Sequence, residues 1–491
     1  MLAYLKRESE KTQTENGAAA YRTSGSCCLD FFATAGALRN AKESEIVLRF
    51  ARAFAEDSDT AMKLLFFARD IRGGLGERRL FRVLVRYLAK NEPEALCKNL
   101  AYIAEYGRYD DLLDLLGTPC EKETVALLRL QLEEDMRSLA EGKEVSLLGK
   151  WLPSVNASCE KTVKQARRLC RAFGMREAEY RRTLTALRAR IRIIENSLRE
   201  SDYSFDYEKQ PSRAMYKYRA AFMRNDGERY EEYLSRVERG EAKMHTDTLA
   251  PYELVGACLD GEYGELRKMN QAEMRAINTA WESLPDFGSE ENALAVVDTS
   301  GSMYCAGHPM PATVALSLGL YIAEHNRGLF AGHFIEFSRN ARLIEIKGKK
   351  LTDKLRFLLS FNEVADTNLE AVFSLILKTA VKHHLPPEEL PARLIIISDM
   401  EFNHCVQSAS STVFESAKTR FLQHGYSLPK VVFWNVASRN RHQPVLANEQ
   451  GVALVSGCSP RLFSAVAGGT LNPYEFMKET VESERYAKIS A

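Results

Sequence analysis

The apolar run Ala293-Leu-Ala-Val-Val297 leads straight into Asp298-Thr-Ser300-Gly-Ser302, and this junction limits the available folds more than any other stretch. A strand with no polar alternation has to be covered on both faces, as in parallel sheets flanked by helices. The acidic and hydroxyl side chains then fall at the strand's carboxyl end, the edge at which open α/β sheets bind ligands. One carboxylate and two hydroxyls from a single tight loop form an all-oxygen donor set, suited to a hard divalent ion such as Mg²⁺. Gly301 allows the loop to turn without a Cβ clash. On its own the pattern also fits a Ser-rich loop that caps the next helix.

Two further segments favour the metal reading. Arg393-Leu-Ile-Ile-Ile-Ser-Asp399 is a second buried strand ending on a carboxylate. Between the two, Ala365-Asp366-Thr367-Asn368 precedes an amphipathic helix with Leu369, Val372, Phe373, Ile376 and Leu377 at helical spacing. These three parts, in this order, resemble a von Willebrand factor A domain with its metal-ion-dependent adhesion site. The resemblance implies that Asp298, Ser300, Ser302, Thr367 and Asp399 together hold one Mg²⁺, or another divalent cation such as Ca²⁺ or Mn²⁺. In that family the hydroxyls coordinate directly, and the aspartates act largely through waters. The alternative is that Thr367 caps its helix and Asp399 merely ends a strand. Many members carry Thr-Asp-Gly where this chain has Ser398-Asp399-Met400-Glu401. Glu401 therefore adds a carboxylate that either binds the open side of the ion or repels an acidic ligand there.

Length and composition leave room for more than one domain. The chain has 491 residues, 45% apolar and 27% charged, an ordinary globular composition that predicts two or three domains. The net charge of +1 names no partner. Ten cysteines are scattered without a C-x-x-C pair, which favours a reduced, cytoplasmic setting over a zinc site or a disulfide framework. Charge follows Met1 too soon for a signal peptide, and no apolar run approaches the roughly 20 residues of a membrane span. The richest stretch, Ala312 to Ala323, reads as the buried helix that follows the metal loop.

The first 290 residues have helical periodicity. Helices are predicted over 43–58, 60–72, 77–91, 93–106, 109–117 and 121–141, with Leu80, Val83, Leu84, Tyr87 and Leu88 forming one apolar stripe. Short helices in pairs stack as an α-solenoid, with a compact all-α bundle as the alternative. The expected organisation is a flexible N-terminal segment (1–28), a HEAT-like helical-repeat region (29–290), a doubly wound, mostly parallel α/β domain (291–470), and a C-terminal helix or tail (471–491). Strands are expected at 293–298, 330–337, 342–346, 393–399, 430–435 and 452–456, and nearly none before them.

One stretch of the helical half is strongly basic. Between Lys161 and Arg199, twelve cationic side chains stand against only Glu177, Glu179 and Glu195. Arginine dominates, which suits forked contacts to phosphate. The candidates for nucleic-acid contact are Lys161, Lys164, Arg167, Arg168, Arg171, Arg181, Arg182, Arg188 and Arg192. Arg213, Lys217, Arg219 and Arg224 follow, interleaved with Tyr216, Tyr218 and Phe222, a mixture that could track a single strand and stack its bases. The competing reading is a solvated face paired with acidic surfaces such as Glu228, Glu231 and Glu232.

The order of the parts resembles the Ro autoantigen, or TROVE, architecture, a ring of helical repeats closed by an A domain. A more specific resemblance, from about Leu29 to Ala467, is to the 2828 family of domains of unknown function. It rests on Arg72-Gly-Gly-Leu-Gly-Glu-Arg-Arg79, Lys150-Trp-Leu-Pro-Ser154, Pro211-Ser-Arg-Ala-Met215, Gly332-His-Phe334 and Ser398-Asp-Met-Glu-Phe402. What the resemblance implies is a non-enzymatic ribonucleoprotein component that binds small or single-stranded RNA. The rival is a protein-interaction scaffold whose metal site captures a carboxylate-bearing partner. No P-loop, dinucleotide fingerprint or nucleophile triad is recognisable, and His308, His333 and His404 lack catalytic spacing.

Overall fold

The computed structural model describes residues 1, 8–261, 264–288, 290–304, 307–337, 340–360, 367–403, 411–467 and 471–491. Ala365, Asp366 and His404, named above, lie outside them.

The C-terminal part is built on a six-stranded sheet. Its strands are β5 (Ala293–Asp298), β6 (His333–Phe337), β7 (Ala341–Glu345), β8 (Arg393–Ser398), β9 (Lys430–Asn435) and β10 (Val452–Ser456). In space they run β10-β9-β8-β5-β6-β7. All neighbours are parallel except β7, which returns antiparallel along β6. The expected strand positions and the mostly parallel, doubly wound sheet are thus what the chain forms. β5, β8 and β10 are buried at every position, whereas edge strand β7 is largely accessible, as the contrast between continuous and broken apolar runs requires. The helix Pro311–His325, buried along almost its whole length, packs on β5, β6 and β8. From β5 the chain moves to one side through β6 and β7, then crosses to the other side for β8. The order therefore reverses between β5 and β8, and a crevice opens there at the strands' carboxyl ends.

The preceding part is helical. Helices span Glu43–Glu56, Ser58–Arg69, Arg78–Asn91 and Glu121–Ala140, close to the predicted ranges, and a further helix, Cys27–Ala35, precedes them. The predicted 93–106 helix is broken into Pro93–Lys98 and Leu100–Tyr106, and 109–117 is a single turn continued as a 3₁₀ turn. Among the described residues between 30 and 250 there is no strand; the two-residue strands β3 (Leu259–Asp260) and β4 (Glu265–Leu266) pair antiparallel just beyond. The helical run begins and ends on the sheet domain: Cys27–Ala35 packs on β10, and Gln271–Glu282 packs on the helix Leu351–Leu359. Its two ends also meet, since Arg39 donates to the Tyr252 hydroxyl at 2.9 Å. Arg461 of the sheet domain donates to the backbone carbonyls of both Arg72 and Asp247.

The N-terminal segment departs from expectation. Residues before 28 were expected to be free, yet β1 (Lys11–Gln13) and β2 (Ala19–Tyr21) form a hairpin laid on the sheet domain. Tyr21 and Gln443 exchange backbone hydrogen bonds at 2.9 and 2.7 Å, and Ala18, Ala20 and Tyr21 are buried. Strands of three residues are too short to show a period, so no alternation marks them. At the other end, the helix Pro473–Val481 is followed by Arg485 and Tyr486, whose side chains both bond to the buried Asp70 carboxylate.

The 72–79 motif, which carries part of the family resemblance, serves this packing. A Cβ on Gly74 would lie 1.9 Å from the Phe67 carbonyl oxygen, so only glycine fits the turn. Beside it, Arg69 and Asp111 form a fully buried ion pair at 2.7 Å, and Arg82 reaches the second Asp111 oxygen at 2.6 Å. Breaking a buried pair from one side strands an uncompensated charge. Asp111→Ala should therefore cost about 3–5 kcal/mol in chemical denaturation. Arg129→Ala, which breaks an exposed helical pair with Glu133, should cost under about 1 kcal/mol.

Candidate functional site

The crevice at the β5/β8 switch point holds most of the predicted metal set. Asp298 ends β5 and is fully buried. Its Oδ1 accepts the Ser300 backbone N–H at 2.9 Å, closing the turn, and its Oδ2 accepts the Ser398 hydroxyl at 2.5 Å. The Ser300 and Ser302 hydroxyls are 3.1 Å apart, and Ser302 also hydrogen-bonds to the Asp399 carboxylate. Asp298, Ser300, Ser302 and Asp399 therefore converge. Burial and the adjacent Asp399 push the Asp298 carboxyl up to about 7. Burial raises Asp399 as well, against the pull of Arg439. Two dry carboxylates side by side are a place where positive charge is favoured.

The hydrogen bonds of Thr367 run to residues outside this group. The N-cap of the helix Leu369–His383 is Asn368, whose side chain accepts from the Ala371 N–H, so Thr367 is not needed as the cap. The buried Thr367 hydroxyl accepts from Asn16 Nδ2 at 3.5 Å, and its carbonyl accepts from the Asn403 N–H at 2.9 Å. Glu401 does not face the group as an open ligand. Burial alone would raise its carboxyl, but His442, the Glu15 N–H and Asn440 hold it below the usual carboxylate range.

The donor chemistry fits a hard divalent cation: two carboxylates and two hydroxyls, all oxygen. Among the described residues no three His, Cys, Asp or Glu side chains form a metal-holding cluster, so the set depends on its hydroxyls. A cationic group already lies here, because Arg439 donates to Asp399 Oδ2 at 2.8 Å.

Arg439, Asn440 and His442 escaped the sequence reading. They follow β9, the strand beside β8, and loops after neighbouring parallel strands share one edge; that topological rule could have found them. Met400 was noted only as a departure from glycine. Its φ of 67° shows that the turn keeps the left-handed backbone a glycine would favour.

The basic candidates divide into two groups. Arg188 is structural: its guanidinium donates to the carbonyls of Gly149 and Leu152 and to the Ser154 hydroxyl, tying down the 150–154 motif. Lys164 pairs with Glu160, Arg167 with Glu177, and Arg168 with Glu121. Lys161, Arg171, Arg181, Arg182 and Arg192 are exposed on the helices Glu160–Phe173 and Glu177–Ile191 or at their ends, without an ion pair among the described residues. The neutralising partners are not Glu228, Glu231 and Glu232, as the solvated-face reading had it. The aromatic candidates are largely committed inside the fold. Phe222 is fully buried among Phe205, Tyr207 and Tyr230, and Tyr216 donates to the Glu253 carbonyl beneath Arg219.

Two family models match the chain. Residues 14–129 and 160–287 match a family described as domain of unknown function 2828, and residues 292–488 match domain of unknown function 7788. An uncharacterized protein, L728, of Acanthamoeba polyphaga mimivirus is 30% identical over 507 residues, covering 96% of this chain and 87% of the viral protein. The chain belongs to this 2828-type family. The crystal structure of the Deinococcus radiodurans RO (RSR) protein is similar at 13% identity and a TM-score of 0.32, over 93% of each chain. No helix among the described residues is long and apolar enough to cross a membrane.

The loop after β9 is braced by the helical half. Arg49 donates to Ser438 Oγ at 2.8 Å and to the Asn440 carbonyl at 2.9 Å, while Glu45 accepts from Arg49 and Arg441, each at 2.7 Å. Hydrogen bonds from Arg441, with Arg49 assisting, hold the Glu45 carboxyl down to about 2, against an ordinary 4.5. Folding depresses this pKa, so the stabilisation is complete above pH 4.5 and fades as pH falls toward 2. Glu45→Gln should lower the unfolding free energy at pH 7 by about 1.5–3 kcal/mol. The gap from the parent should close as denaturant titrations are repeated at pH values descending from 4.5 toward 2.

Proposed function

We propose that this protein binds RNA through the basic face of residues 160–192 and holds a divalent cation, Mg²⁺ by preference, at the crevice between β5 and β8. We read it as a binding protein, not an enzyme. The observation that carries the RNA reading is the cluster of exposed arginines that the fold leaves without an ion pair: Arg171, Arg181, Arg182 and Arg192. Surface arginines without an ion pair are available for phosphate, and guanidinium forks match it. Single-stranded or small structured RNA is the partner class that the Ro-type resemblance implies. The cation reading rests on Asp298, Ser300, Ser302 and Asp399, with Thr367 the fifth ligand that the resemblance implies. The ion would supply positive charge between the two buried carboxylates. Capture of a partner's carboxylate is disfavoured in the state described, because residues 14–16 lie over the same face.

Two measurements test this. Binding of a fluorescent single-stranded RNA should weaken with salt, with a log–log slope of about −0.7 per phosphate contact. Replacing Arg171, Arg181, Arg182 and Arg192 together by Ala should flatten that slope by up to about 3 and leave thermal stability near that of the parent. An unchanged slope in that variant makes the charge a solvated face only. Separately, isothermal titration with Mg²⁺ or Mn²⁺ should show one site that Asp298→Asn abolishes without altering RNA affinity.

A further inference from the structure

The face over the cation crevice is covered by a segment nearly 400 residues away in sequence. The tip of the N-terminal hairpin, Thr14 to Ala18, reaches it through polar contacts. The Thr14 hydroxyl donates to the Phe402 carbonyl at 2.5 Å, and the Glu15 N–H donates to Glu401 Oε2 at 2.8 Å. Asn16 Nδ2 donates to the Glu401 carbonyl at 2.6 Å, and a weaker contact runs to the Thr367 hydroxyl at 3.5 Å. The Glu15 carboxylate pairs with Arg439 at 3.0 Å and accepts from Asn440 at 3.0 Å. Arg439 thus bridges two carboxylates. One guanidinium nitrogen is on Glu15, and the other is 2.8 Å from the buried Asp399.

The bridge has a consequence for any ion that enters. Asp399 is almost fully buried, and Arg439 is the nearest cation paired with it among the described residues. A divalent ion drawn by Asp298 and Asp399 would stand against the guanidinium, and like charges at this range in a dry site repel strongly. The ion and the Arg439–Asp399 pair therefore compete. Thr14, Ala18, Ala20 and Tyr21 are buried, whereas Glu15 and Asn16 between them are exposed. The tip can loosen while the stem stays docked.

We propose that Arg439, positioned by Glu15, is a resident cation of this site, that a divalent ion binds by expelling it from Asp399, and that this exchange loosens the Thr14–Ala18 tip. The inference rests on the cation reading given above. It makes the crevice a cis-capped site in which the chain's own guanidinium occupies the place of the ion until the ion arrives.

The test uses Mn²⁺ and the full-length protein. By calorimetry or electron paramagnetic resonance, Arg439→Gln should bind Mn²⁺ at least about tenfold tighter than the parent, and Glu15→Gln should shift affinity less in the same direction. Arg439→Lys, which keeps a cation, should stay near the parent and controls for packing lost with the side chain. In hydrogen exchange, Mn²⁺ should speed exchange of the residue 15–17 amides in the parent and leave Arg439→Gln unaffected. If the parent binds Mn²⁺ but Arg439→Gln binds no tighter, or if Mn²⁺ protects the tip, the resident-cation inference is overturned and the cation site stands. If neither folded protein binds Mn²⁺ at millimolar concentration, the cation reading itself is wrong and the inference falls with it.

Discussion

Helix Cys27–Ala35 meets the carboxyl end of β10 at a backbone contact that leaves no room for a side chain. A Cβ on Gly36 would lie 2.5 Å from the Gly457 Cα. The Ser456 hydroxyl seals the contact, accepting from the Gly36 N–H at 3.0 Å and donating to the Phe32 carbonyl at 3.1 Å. Much else follows from this approach. It covers the β10 edge of the sheet with a helix, and exposed edges invite unwanted pairing. It also fixes where the chain before residue 27 emerges, close enough for the short hairpin to lie across the strand ends. A bulkier residue at position 36 would have to move the whole helical half relative to the sheet.

Much of this architecture was legible in the residues. Runs such as Ala293–Val297 and Leu394–Ile397 have no polar alternation, and a strand of that kind has few alternatives to a covered sheet. Aspartate at the end of two such runs marked the switch-point crevice before any coordinates, and four of the five predicted side chains do converge there. What stayed hidden depends on contacts between distant segments. Arg439 looks like one more loop arginine until β9 places it beside β8. Arg188 counted as one more positive charge among twelve, yet its guanidinium is used up on the carbonyls of the 149–154 turn. Composition records charge but not acceptors, so an arginine that braces a turn and one that faces solvent read alike.

The crevice carries electrostatic and conformational strain together. Asp298 and Asp399 are buried side by side, and one residue beyond them Met400 adopts a backbone region that costs a side chain of order 1–3 kcal/mol. The Ser398 hydroxyl serves both features, donating to Asp298 while accepting from the Met400 N–H at 3.0 Å. Strain of this kind persists only where surroundings over-determine it, and it gathers at sites that bind or switch.

The hairpin's partners lie at Phe402, Asn403, Thr412 and Gln443, close to 390 residues or more downstream of it. During synthesis, then, the hairpin at 11–21 emerges without its sheet-domain partners until β8, β9 and the loop after them have left the ribosome. The helical run can form turn by turn from local contacts, but the lid over the strand ends can be the last piece fitted. The strand ends therefore stay uncovered until the chain has been made through the loop after β9, and the hairpin can dock only when its partners from Phe402 to Gln443 exist. Truncation before Phe402 would leave the hairpin without these partners, a defect that would appear far along the sequence from its cause.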